Sequence, residues 1–151
     1  MRMPEYPRTT NHLPTLLEPV MFFRISAFAL TGIAAVGLLM GMVGQAYALS
    51  YGNRLVNFTW AHDLTHLVLA AAAVLFGFAT LPGPTVRLFA IIFGCFYLVF
   101  GIAGFAVWSD PASSGYAFLA LTPALNGLHV ALGAYAILCG ALARFDPTPA
   151  T

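Results

Sequence analysis

The chain has 151 residues, of which 60% are hydrophobic and 7% charged, and its net charge is +1. Soluble domains carry about 25% charged residues, so most of this surface cannot face water. Without clustered cations there is no electrostatic footprint for nucleic acid. The two cysteines, Cys95 and Cys139, fall inside apolar runs and read as small buried residues, not as a disulfide scaffold.

Residues 1–22 carry Pro4, Pro7, Pro14 and Pro19 among polar side chains. Such a segment predicts a loosely ordered tail, with His12 solvated in it. A transmembrane domain is expected over 23–143, followed by a short tail over 144–151. A spanning helix needs about 20 mostly apolar residues. Four stretches qualify: Ile25–Ala46, Trp60–Leu81, Leu88–Trp108 and Pro123–Ala143. Ala46-Tyr47-Ala48 has the small-residue pattern of a signal-peptidase site, but the apolar run before it exceeds the ~7–15 residues of a signal core. The first span is therefore expected to be retained.

Helix punctuation agrees with these bounds. Thr59 and Thr122 are good N-caps, and Pro123 follows Thr122 at the first helical position, where a missing N–H costs nothing. Leu81-Pro82-Gly83-Pro84 stops the second helix. Arg2, Arg8, Arg24, Arg87 and Arg144 flank one side of the spans and Arg54 the other, so the positive-inside rule places both termini in the cytoplasm. Tyr47, Tyr51, Trp60, Trp108 and Tyr116 gather at the opposite interface, where amphipathic rings prefer to sit. A bacterial inner membrane or a membrane derived from it is the expected location.

A shift of 63 positions matches the chain to itself. It pairs Arg24 with Arg87, Gly41 with Gly104, Gly52 with Gly115, Thr59 with Thr122, Ala61 with Ala124, His66 with His129 and Gly77 with Gly140, and it sets Asp63 on Asn126. These positions are span entries, caps and close-packing glycines, which points to a duplicated hairpin with repeats over 24–80 and 87–143. Two helices per copy give both copies one orientation, so His66 and His129 should lie at equal depth. The expected fold is an all-α integral membrane four-helix bundle of two parallel helix-hairpin repeats.

Helical periodicity puts Asp63, His66, Ala70, Ala73 and Gly77 on one face, and Asn126, His129, Gly133, Ala136 and Gly140 on its counterpart. Small residues let helices approach in lipid. Each histidine can then bond the Asp or Asn three residues before it, or His66 can reach Asn126 across the repeats. On that reading the polar cluster His62, Asp63, His66, Asn126 and His129 is structural and needs no cofactor. The alternative makes His66 and His129 axial ligands of haem b, or magnesium ligands of a chlorophyll. A second alternative is a proton or ion path through the same residues, with Tyr97 the only polar candidate at mid-span. His62 and His66 have the i, i+4 spacing of a zinc pair, but the glutamate of the HExxH motif is missing and no metal site is assigned. No nucleophile–base pair or phosphate loop is present, so no enzyme is expected. The expected role is an accessory or scaffold subunit, in contact with the bilayer and with other membrane subunits.

His62-Asp63-Leu64-Thr65-His66-Leu67 resembles the His-Asn-x-x-His-Leu stretch on the second helix of a bacterial family. Its members are small four-helix integral membrane proteins known only as a domain of unknown function. Ala124-Leu125-Asn126-Gly127-Leu128-His129 is similar to that family's Ala-Asp-Asn-x-Leu-His stretch on the fourth helix, and Tyr97 to Phe105 is similar to its third-helix Tyr-and-Gly pattern. The resemblance covers most of residues 24–143. It implies the four-helix fold and the paired histidines, and it implies no activity. Asp63 stands where the family has Asn, and Leu125 where it has Asp, which weakens any paired-acid role on the fourth helix.

The composition makes a direct prediction. The protein should stay with the membrane fraction through high-salt and alkaline carbonate washes and leave it only in detergent. Release by carbonate would show that the chain does not span the bilayer.

Overall fold

The computed structural model describes residues 15–42, 60–108 and 122–143. The expectations placed on both tails, on His12, Tyr47, Tyr51, Arg54, Thr59, Tyr116 and Arg144, and on the side chains of Trp60 and Trp108 lie outside the described residues. A single 3₁₀ turn, Thr15–Leu17, leads into α1 (Pro19–Met42). Then come α2 (Trp60–Phe78), α3 (Gly83–Ala103, prolonged by a π turn over Gly104–Trp108) and α4 (Pro123–Leu142). The described chain is an all-α four-helix bundle, and all four helices are long and apolar enough to cross a membrane. Large apolar side chains such as Phe28, Leu39, Val68 and Val99 point outward and are more than half exposed. An apolar coat of this extent suits lipid and not water.

The bundle is two tight antiparallel hairpins. Along the α3–α4 seam the backbones nearly touch: a Cβ added at Gly94 would lie 2.7 Å from the Gly133 carbonyl, and one added at Gly133 would lie 2.5 Å from the Leu98 amide. In the α1–α2 seam a Cβ on Gly77 would meet the Arg24 amide at 3.0 Å. Lipid supplies no hydrophobic drive between helices, so such close approach is what lets dispersion hold them together. Contacts between the two hairpins are fewer and are made by side chains.

At the end holding the start of α1 and the end of α4, aromatic rings fill the space between hairpins. Phe22 sits edge-on to Phe23, Phe93 and Tyr135 at ring distances of 5.2, 5.6 and 5.6 Å. The Tyr135 hydroxyl donates to the Leu16 carbonyl and ties the 3₁₀ turn to α4. The start of α1 thus lies beside the end of α4, and the two hairpins run in the same sense.

Three helix ends differ from the sequence expectation. Helix α1 begins at Pro19, not Ile25, and so inside the segment 1–22 expected to be tail. Arg24 is therefore a helical residue, and its Nε donates to the Gly77 carbonyl at 2.8 Å while its guanidinium lies 5.4 Å from the Phe78 ring centre. The side chain caps the C-terminal end of α2, where carbonyls lack intrahelical partners. Helix α2 stops at Phe78 instead of Leu81. Helix α3 starts at Gly83 instead of Leu88, because the Pro82 carbonyl accepts the amides of Thr85 and Val86 and Pro84 is harmless in a first turn. Arg87 consequently lies within α3 and not in the connection.

The seams can be tested by adding one methyl group. Gly133→Ala should destabilise the bundle by ~1–3 kcal/mol, because backbone atoms must move apart. Gly32→Ala, with nothing within 4 Å of the new Cβ, should be neutral or stabilise by up to ~1 kcal/mol. Thermal unfolding of both variants in detergent checks the pair; equal effects would mean the seam is not tight.

Candidate functional site

The other end of the bundle is polar and buried. Thr122 caps α4, its hydroxyl accepting the Leu125 amide at 3.3 Å, and Pro123 opens the first turn. That start fixes the rotation of α4, so that Asn126 and His129 both face inward. Asn126 is fully buried against Gly104 of α3, where any side chain would collide with its carboxamide. Asp63 makes the matching contact in the other hairpin, fully buried against Gly37 of α1. The 63-position shift pairs Asp63 with Asn126, but Gly37 and Gly104 are 67 apart. Relative to the shift, the first helix of one hairpin is therefore offset by four residues from that of the other, about one turn, which keeps the same face toward the partner.

The histidines take a different direction. Asp63 and Asn126 turn into the seams within their own hairpins, and His62, His66 and His129 turn into the space between hairpins. The rings of His62 and His66 lie 4.3 Å apart, one helical turn from each other on α2. His129 comes across from α4, and its ring is 5.3 Å from Tyr97 and 5.5 Å from Phe100 of α3. One nitrogen from each imidazole can be chosen so that all three lie within 4.8 Å of one another. All three residues are at least nine-tenths buried, at 4% exposure for His62 and 7% for His66 and His129.

The expected local hydrogen bonds do not account for these rings. Nδ1 of His66, Nδ1 of His129 and both carboxylate oxygens of Asp63 have no hydrogen-bond partner among the described residues. The Asp63–His66 bond is absent because the carboxylate is committed in direction to α1. The hydroxyl of Tyr97, 3% exposed, also lacks a partner among the described residues. The Thr65 hydroxyl is used within its own helix, donating to the Ala61 carbonyl at 2.8 Å. Buried polar atoms left unpaired cost about 1–3 kcal/mol each, so a cluster of them calls for an explanation.

The cluster opens on a cavity of about 210 Å³ whose walls include Leu69, Phe96, Tyr97 and Phe100. A second, wholly apolar cavity of about 290 Å³ continues between α2 and α3 past Leu69 and Phe96 toward Phe76 and Phe89. A smaller one of about 140 Å³ lies between α1 and α4 and touches His66, His129 and Tyr97 from the opposite side. Compared with protein-family models, with curated proteins and with solved structures, the chain has no match in any of the three. The site has to be read from its own geometry.

Sequence spacing singled out every residue of the polar cluster but grouped them differently. It coupled His66 to Asp63 or Asn126, His129 to Asn126, and His66 to His129 as a ligand pair, while His62 entered as a member of the wider polar cluster and as half of a weak zinc pair. The structure brings His62 together with His66 and His129. One signal was available: His62 has no counterpart at the 63-position shift, where Leu125 stands, so the third imidazole belongs to one hairpin alone.

The cap that orients α4 supplies a test. Thr122→Ala should cost ~1 kcal/mol of stability as a lost N-cap. Thr65→Ala, which removes only a hydroxyl bonded to its own helix, should change stability by no more than ~0.5 kcal/mol. Thermal unfolding in detergent measures both; a Thr122 effect no larger than that of Thr65 would remove the cap from the account.

Proposed function

We propose that this is a non-enzymatic, multi-pass membrane protein whose specialised feature is a transition-metal site made by His62, His66 and His129. The observation that carries this reading is the convergence of three buried imidazoles whose nitrogens lie within 4.8 Å of one another. Imidazole is a good donor to zinc, copper, iron and nickel. A bound ion would give partners to the Nδ1 atoms of His66 and His129, which have none among the described residues.

An ion suits the arrangement better than haem or chlorophyll. Two axial imidazoles must approach a macrocycle from opposite faces and leave its whole plane clear. Here a nitrogen of His62 lies within 4.8 Å of those of both His66 and His129, which crowds the space such a plane would need. Tyr97 and Phe100 stand directly against His129 and close off the remaining width. A proton path finds less support: beyond the histidines the buried polar side chains among the described residues thin to Tyr97 and Ser26, and the other end is filled by the rings around Phe22 and Phe23.

The accessory-subunit role expected from the sequence remains compatible with a metal site. The exposed apolar faces serve lipid and protein partners equally well and do not select that role. We read the two hairpins as copies of one unit, supported by the matching contacts of Asp63 and Asn126, and we place both termini in the cytoplasm of a bacterial cell because the described Arg24 and Arg87 lie at the aromatic end.

The full-length protein purified in detergent should carry, or take up, one transition-metal ion per chain by mass spectrometry of its metals. His129→Ala should lower that content to background, and His12→Ala should not change it. A Soret or chlorophyll band that disappears with His129→Ala would favour the macrocycle instead. No uptake of zinc, copper, nickel or cobalt would sink the proposal.

A further inference from the structure

Resting on the reading of the histidine cluster as a metal site, we infer that the ion it takes is monovalent copper and not a divalent cation. The charge of the donor set decides this. Among the described residues no carboxylate or thiol joins the three imidazoles. Asp63 is turned onto Gly37 across the α1–α2 seam. Cys95 is exposed, and Cys139 lies in the aromatic core at the far end of α4. The ligands are therefore neutral and add no negative charge to the site.

The cost of holding a cation in a medium of low polarisability rises with the square of its charge. Asp63 is the only acid among the described residues at this end of the bundle, and one carboxylate offsets at most one positive charge. Copper(I) needs no more than that. Zinc(II) or copper(II) keeps at least one charge uncompensated inside the bundle.

Coordination number points the same way. Three imidazoles leave zinc one ligand short of its usual four, and copper(II) prefers a square or tetragonal set that three converging rings cannot form. A water could complete zinc, but a buried water wants two to four hydrogen-bond partners. On the open side of the cluster the polar lining reduces to the Tyr97 hydroxyl, because the Thr65 hydroxyl is bonded to the Ala61 carbonyl and the remaining wall is Leu69, Phe96 and Phe100. Metal–nitrogen bonds of ~2.0 Å arranged trigonally put the nitrogens about 3.5 Å apart, so the rings need close in by only about 1 Å.

The test uses the full-length, metal-free protein in detergent. It is titrated without oxygen with copper(I) held by a chromogenic chelator, and in parallel with zinc(II) held by a zinc indicator. Copper(I) should bind one per chain and ~1,000-fold or more tighter than zinc(II). Excess zinc should not displace it. His62→Leu should weaken copper(I) binding by ~100-fold or more, beyond the loss usual for outer-shell changes, with helix content by circular dichroism unchanged. His66→Gln, which keeps a polar side chain of similar length, provides a second variant should the first unfold. Zinc(II) binding as tight as or tighter than copper(I) would overturn the inference and leave the metal site standing. Binding of neither ion would remove both.

Discussion

Helices in lipid gain nothing from the hydrophobic effect by meeting each other, so they must come close enough for dispersion to hold them. In this protein that closeness is set by glycine. Gly94, Gly101 and Gly133 bring α3 and α4 to backbone contact, Gly77 does the same for α1 and α2, and Gly37 makes room for the Asp63 side chain. Everything else in the bundle is arranged around these two seams. Because each hairpin is closed on itself, the space between hairpins is left for side chains to fill. Aromatic rings fill it at one end. At the other end the fillers are imidazoles, and cavities remain beside them.

The polar residues divide along the same line. Asp63 and Asn126 are small enough to enter a seam opposite a glycine, and both do so. Histidine is too large for that position. One turn further along, His66 and His129 project from the other flank of their helices into the gap between hairpins. A local hydrogen-bonded pair, plausible from i, i+3 spacing, is thereby split: one member enters the seam and the other enters the gap. The same geometry brings nitrogens of the two rings close together, with a third imidazole, His62, tilted against His66.

Two hairpins that match in outline thus enclose a site that is not symmetric. His62 has Leu125 at its shifted position, so α2 supplies two imidazoles and α4 one. A pair of facing histidines can grip a flat ligand from two sides. Three whose nitrogens lie within 4.8 Å of one another are the arrangement on which the proposed metal site rests.

Much of the architecture was legible before any coordinates. Apolar runs near spanning length, the Thr122-Pro123 start, the Leu81-Pro82-Gly83-Pro84 stop and the 63-position shift together implied four helices in two like-oriented hairpins. Helix ends were less legible, since Arg24 looked like a flank and proved to be a helical residue capping α2. Periodicity along a single helix also identified Asp63, His66, Asn126 and His129, and i, i+4 spacing added His62, because one turn follows from local sequence alone. It could not say which of two adjacent flanks faces a partner helix and which faces the gap between hairpins. That depends on where glycines on α1 and α3 meet α2 and α4, a relation between segments distant in the chain. Grouping His62 with His66 and His129, and turning Asp63 away from them, was therefore decided by tertiary packing.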